Sequence, residues 1–271
     1  RHALCLCLSF LEIKQAIQLV TVIVGEHNRD SKWCHVKTLE NEVVGEKEFR
    51  FRLNDANFPE LEATTPWIRY VRGTVDIFKA KRGYVPSFKI VIVSSIPIKC
   101  GLGSSSALVV AIYTFLEAIT GLYTTNVFEK TLECHSAENQ AVGSRNIRVA
   151  DILTSIIGSE SKAFLFDARS HSVDECVWNP MDVDLVIVET PNVECERSTE
   201  LCFDEFPIKR ISEVPYATYR WNAHPVGVRM MELLFPSKII NTSVHVIEED
   251  KKPSAMMNII RKENWKELGR K

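Results

Sequence analysis

The first long apolar run, Leu19–Val24 (LVTVIV), is continuous and β-branched, the pattern of a buried strand, and it stops at Gly25. Phe49, Phe51 and Leu53 then alternate with Arg50 and Arg52, which predicts a half-buried strand. The period next switches to that of a helix. Pro66 opens a stretch in which Trp67, Tyr70, Val71, Thr74, Val75 and Phe78 recur at helical spacing, and Gly83 closes it. Phe88–Val93 predicts another strand. A small-residue helix follows from about Ser104 to Ile119, with Gly121 just beyond its end. A further helix, capped by Thr125 or Asn126, runs to about Val142, and another spans Ala150 to Ile157. Ala163–Asp167 and Asp184–Glu189 read as strands, Asn192 to about Pro215 as a polar loop or subdomain boundary, and Met256–Leu268 as an amphipathic helix carrying Trp265. Strands and helices alternate irregularly, so the pattern predicts an α+β fold rather than a regular doubly wound sheet.

Composition supports a globular protein with ample material for a core: 271 residues, 45% hydrophobic and 25% charged. Thirty-three basic residues against 35 acidic ones give a net charge of −2 and no global field for nucleic acid or an anionic membrane. With no stripe of interleaved aromatic and basic residues, a nucleic-acid binder is disfavoured. No apolar run approaches the roughly 18 residues of a membrane span. Ala3–Leu11 has the apolarity of a signal-peptide core, but no A-x-A-like site follows and Glu12 does, so a buried strand or helix is expected there. The chain begins with Arg1 rather than Met, as a fragment would. Eight cysteines form no C-x-x-C pair and several sit in apolar or helical segments, which predicts buried thiols in a reducing cytoplasm rather than a zinc site or disulfides. The sequon Asn241-Thr242-Ser243 does not change that reading.

The strongest chemical signal is Gly101-Leu102-Gly103-Ser104-Ser105-Ser106-Ala107, placed between a strand and a helix. Glycines let the backbone approach an anion closely, and the free N–H groups and positive dipole end of the helix face it. Serine hydroxyls add donors to phosphate or a ligand to Mg²⁺. The GK[ST] ending of a Walker loop is absent. Taken alone, the segment also fits a serine-rich cap on a tightly packed helix.

Its neighbours resemble those of a known family. Pro97-x-x-x-Gly101-Leu102-Gly103-Ser104-Ser105 resembles the phosphate loop of the GHMP kinases, and the galactokinase branch fits best. Gly25-Glu26-His27 resembles the galactokinase GEH signature, and Pro66-Trp67-Ile68-Arg69-Tyr70-Val71-Arg72-Gly73 a W-x-x-Y-V-x-G helix. Cys134-His135-Ser136-Ala137-Glu138 with Val142-Gly143 resembles the C-x-x-A-E…VG segment. Asp151, then Ser155–Gly158 and Ala163–Ser170, is similar to M-D-Q…G…ALLID-x-RS. The order holds from about Leu19 to Ser170, with one extra residue before Asp151, and Asn258–Arg270 is loosely similar to a later galactokinase helix.

The resemblance implies an α+β GHMP-kinase fold (ribosomal S5 domain 2-like), with an ATP-binding domain over residues 1–190 and part of a C-terminal domain over 191–271. It implies ATP-dependent phosphorylation of a sugar hydroxyl. Gly101, Leu102, Gly103, Ser104, Ser105 and Ser106 would hold ATP, and Ser105 and Glu138 would ligate Mg²⁺. Asp151 would orient or deprotonate the hydroxyl, and Glu26, His27 and Asp30 would bind the sugar. Departures from the pattern imply a second reading, a catalytically silent regulatory protein with a protein partner. The family arginine five residues before the Gly of GEH is Val20 here, its sugar-binding Asp is Arg29, Val149-Ala150 precede Asp151, Lys99 enters the loop, and no late Gly-rich motif occurs.

Overall fold

A computed structural model describes residues 11–29, 31–54, 65–98, 100–143, 148–168, 170–178 and 252–268. The chain divides into two compact units: Ala16–Glu160, and Arg1–Gln15 together with Ser161–Lys271. The expected boundary at residue 190, the strand Asp184–Glu189, the polar segment 192–215, Lys99 and Asp30 lie outside the described residues.

In the larger unit, strands β2 (Thr21–His27), β3 (Trp33–Thr38), β4 (Glu48–Arg52) and β5 (Phe88–Ser94) form one sheet in the order β2-β5-β3-β4. β2 runs antiparallel to β5, with Thr21 opposite Ser94 and His27 opposite Phe88. β3 pairs parallel to β5 and antiparallel to β4. Helices α1 (Pro66–Arg82), α2 (Ser104–Thr120), α3 (Val127–Val142) and α4 (Val149–Ile157) complete the unit. Their apolar faces and the inner sheet face share one core containing Val36, Val71, Phe78, Phe88, Ile112 and Leu116, each fully buried. Burial of this kind contributes on the order of 25 cal/mol per Å² of apolar surface.

Most predicted elements form where the pattern placed them. Pro66 sits at the start of α1 and Gly83 ends it at φ 83, a left-handed angle. Asn126, rather than Thr125, caps α3: its side chain accepts from the backbone N–H groups of Phe128 and Glu129. One expectation changes. The LVTVIV run is not buried on both faces, because β2 is an edge strand: Val22 and Val24 on it, and Val20 just before it, are 47%, 68% and 53% exposed. β3 went unpredicted although Cys34, Val36 and Thr38 are buried in strict alternation.

A buried polar network ties α1, α2 and α3 together. Tyr113 of α2 donates to Glu133 of α3, Arg82 of α1 reaches Glu133 at 3.0 Å, and Lys130 reaches Glu117 at 2.6 Å. Glu117 and Glu133 are 3% and 5% exposed, and each has cationic and hydroxyl or amide donors around it. Tyr113, enclosed beside Glu133, has its hydroxyl pushed up to about 12 by burial.

In the second unit, β1 (Leu11–Gln15), β6 (Lys162–Asp167) and β7 (Ser172–Val177) form an antiparallel sheet in the order β1-β6-β7. Ala163, Cys176, Met257 and Ile260 make its core, with Trp178 and Trp265 edge to face at 5.4 Å. The expected helix over Met256–Leu268 is helical at 252–261, then turns and resumes at Trp265–Leu268, with Glu263 in the left-handed region at φ 53.

Candidate active site

The turn between β5 and α2 forms as its glycines require. Gly101 and Gly103 take φ 73 and 72, the left-handed conformation that a Cβ disfavours. Gly103 stands at the N-cap of α2 and offers no side chain, so the helix start carries no side-chain cap. The N–H groups of its first turn, in the Ser104-Ser105-Ser106 run, are the orphan donors of a helix N-terminus, left available for an anion.

Glu138 reaches this turn from α3. It is 3% exposed and accepts from Ser105 Oγ at 2.5 Å and from Ser106 Oγ at 2.9 Å. Its carboxyl is pushed above the usual range chiefly by burial. The two serine hydroxyls pull the other way, and the charge of Asp151 adds to the rise. The hydroxyl of Tyr70, from α1, interacts with the same Ser105, and burial together with the Glu138 charge raises its own pKa.

Two close contacts place these groups. A Cβ on Gly73 of α1 would fall 2.8 Å from the carbonyl oxygen of Ala137, so the absence of a side chain there lets α1 lie against the turn of α3 that carries Glu138. A Cβ on Gly103 would lie 3.8 Å from the Cβ of Asp151, which puts α4 beside the start of α2. Asp151 sits in the first turn of α4, where a carboxylate favours the helix dipole. Arg148 stands next to it, with Nε 3.6 Å from Asp151 Oδ2.

The donor set fits magnesium nucleotide. Glu138 is a buried carboxylate with hydroxyls as its hydrogen-bond partners and no cation in ion-pair contact among the described residues, and a divalent cation would relieve its raised pKa. Among the described residues no group of three or more His, Cys, Asp or Glu side chains forms a metal cage. Mg²⁺ typically takes one or two carboxylates and fills its shell with phosphate oxygens and water, which is the kind of site Glu138 and Ser105 offer.

The structure therefore brings together Gly101, Leu102, Gly103, Ser104, Ser105, Ser106, Glu138 and Asp151. Glu26 and His27 stand on β2, where Glu26 pairs with Lys89 and His27 with Phe88, while Thr21 pairs with Ser94, the residue that leads toward the Gly101–Ser106 loop. Val20 stands at that same end, its carbonyl accepting from the Ser95 N–H at 2.9 Å. Glu26 lines a shallow groove of about 500 Å³ on the sheet, beside Lys37, Glu48 and Lys89. Asp30 lies outside the described residues.

Two site-shaping residues escaped the sequence reading. Arg148 is separated from Asp151 by one helical turn, and the i, i+3 spacing was the available signal. Gly73 was seen only as part of a motif, and its close approach to Ala137 is a tertiary fact.

Residues 69–159 match the profile of the GHMP kinases N terminal domain, the span holding the loop, Glu138 and Asp151. The chain is 28% identical to human galactokinase over 266 residues and 27% identical to the bovine enzyme over 265, in each case covering 96% of this chain and 65% of the relative. It thus spans about two thirds of the length of these curated relatives. Its fold is similar to that of Lactococcus lactis galactokinase, solved in complex with galactose, with a TM-score of 0.73 at 17% identity over 96% of this chain and 66% of that one.

Proposed function

We propose that this chain is the nucleotide-binding and transfer part of a galactokinase-like sugar kinase, using Mg²⁺ and ATP. The observation that carries the proposal is the convergence of an uncapped helix N-terminus, a buried Glu138 held by two loop serines, and Asp151 beside the same turn. Phosphoryl transfer asks for anchored phosphates, a neutralising metal and a carboxylate near the nucleophile. Here the backbone of Gly101–Ser106 would anchor the phosphates, and Glu138 and Ser105 would hold a metal ion, which would supply positive charge against the phosphate charge. The acceptor hydroxyl gives its proton to Asp151 as its oxygen bonds to the terminal phosphorus. The bond from that phosphorus to the bridging oxygen breaks, and ADP leaves. The similarity to galactokinases supports a sugar as acceptor, with galactose first to be tried. Free thiols at Cys34, Cys100, Cys134 and Cys176 support a cytoplasmic setting. The regulator reading drew on Val20, Arg29 and the missing late Gly-rich motif, and the similarity to galactokinases supports the kinase reading over it.

The test is titration of Mg·ATP into wild type and into Ser105→Ala and Asp151→Ala, followed by a screen for ADP release with neutral sugars. Binding that weakens in Ser105→Ala, persists in Asp151→Ala, and is followed by sugar-dependent turnover that Asp151→Ala abolishes is the expected result. A folded wild type that ignores millimolar Mg·ATP overturns the proposal.

A further inference from the structure

Both side-chain carboxylates that the fold brings to the phosphate loop would face an anionic ligand, so the arrangement calls for fixed positive charge as well as a metal ion. Arg148 is a cation placed beside one of them. It occupies the N-cap position of α4 in an extended conformation, with φ −83 and ψ 120. Its Nε lies 3.6 Å from Asp151 Oδ2, an ion-pair distance rather than a hydrogen bond. Asp151 in turn lies beside Gly103, at the start of α2. The two side chains are 24% and 26% exposed, so the pair is partly open to solvent and not within the core.

Resting on the nucleotide-binding reading above, we propose that Arg148 recognises the terminal phosphoryl group of bound ATP, its guanidinium spanning that group and Asp151. A guanidinium suits this task because its planar fork serves two oxyanions at once, which an ammonium does less well. It keeps the anionic phosphoryl group and the anionic Asp151 close without net repulsion. The same contact strengthens as charge moves on the phosphoryl oxygens during transfer. If Arg148 were only a surface partner of Asp151, its removal would cost a fraction of a kcal/mol and would not distinguish one nucleotide from another.

That contrast defines the experiment, which needs no acceptor. Affinities for Mg·ATP and Mg·ADP are measured by calorimetry on the 271-residue chain, for wild type, Arg148→Gln, Arg148→Lys and Ser105→Ala. Arg148→Gln is expected to lose about tenfold or more in Mg·ATP affinity, the scale of one charge-assisted contact, while Mg·ADP affinity holds within about twofold. Arg148→Lys recovers part of the loss, and Ser105→Ala weakens both nucleotides together. The phosphorus resonance of the γ-phosphate of bound ATP should shift in Arg148→Gln, with the β resonance much less affected. Equal losses for ATP and ADP in Arg148→Gln, or no loss for either, overturn the proposal and leave the site reading intact. Absence of Mg·ATP binding by folded wild type removes both.

Discussion

Gly73 offers the sharpest test of how the site is held. Replacing it with alanine adds one methyl group, which would come within 2.8 Å of the Ala137 carbonyl oxygen and 3.8 Å of the Ala141 side chain. The first contact is with backbone, so relief requires α1 and α3 to separate by several tenths of an ångström. Two terms compete. Alanine in a helix interior gains about 1 kcal/mol over glycine, whereas overpacking at a tight interface costs about 1–3 kcal/mol. The net expectation for Gly73→Ala is destabilisation by up to about 2 kcal/mol, worth roughly 2–4 °C in Tm per kcal/mol for a chain approaching this size. Valine at the same place reaches further into α3 and gives up helix propensity, so it should cost about 3 kcal/mol or more. Urea unfolding of the three proteins measures this order. The shift has a second readout, because Ala137 precedes Glu138 in the chain. Moving that turn displaces the carboxylate from Ser105 and Ser106, and Mg·ATP affinity should fall by several fold in Gly73→Ala at temperatures where the variant remains folded. A Gly73→Ala protein more stable than wild type, with unchanged nucleotide affinity, would refute the close-packing argument.

Glu138→Gln should raise stability in metal-free buffer at pH 7 while abolishing Mg²⁺-dependent nucleotide binding. The folded protein holds this carboxyl above its ordinary pKa, so its ionised form costs stability that grows as pH rises above about 4.5 and vanishes below it, and paired urea melts at pH 4 and 7 check the sign. Tyr113 has the same sense at high pH: its folded-state pKa of about 12 against 10 means that stability is lost as pH climbs from 10 through 12, by about 2 kcal/mol. Tyr113→Phe should be less stable at pH 8 by about 1–2 kcal/mol and show a flatter alkaline limb in the same melts. Burial pushes the thiols of Cys34, up to about 11, and Cys134 upward, so peptide mapping after alkylation of the native protein should find both unmodified while the partly exposed Cys100 reacts. Glu26→Ala and His27→Ala should leave Mg·ATP affinity within about twofold of wild type while raising the sugar KM about tenfold, and an unchanged sugar KM would remove both from the sugar site.

The parts of the fold that local pattern could show are those where one physical signal dominates. Pro66 and Gly83 mark the ends of α1, Asn126 opens α3, and Gly121 closes α2, because caps and breakers act within a turn. β3 and β7 were harder. WCHVKT alternates, but its buried positions are a cysteine and a threonine around one valine, and SVDECV buries little beyond Cys176. Such strands are fixed by their partners β5 and β6 rather than by their own apolarity. The edge position of β2 was equally invisible. A run of valine and isoleucine reads the same at the centre of a sheet and at its rim.

The site shows the same division. The phosphate loop could be read because backbone conformation, helix start and hydroxyl chemistry are all local to seven residues. Glu138 and Asp151 could be placed only by resemblance, since their meeting with Ser105 and Gly103 depends on how α3 and α4 pack against α2. Glu26 and His27 sit on β2, whose place in the sheet is set by its pairing with β5 and not by their own letters, so their role rests on resemblance as well. The contact of Arg148 with Asp151 is the mixed case: the i, i+3 spacing is local, and only the packing of α4 beside Gly103 gives it a bearing on the loop.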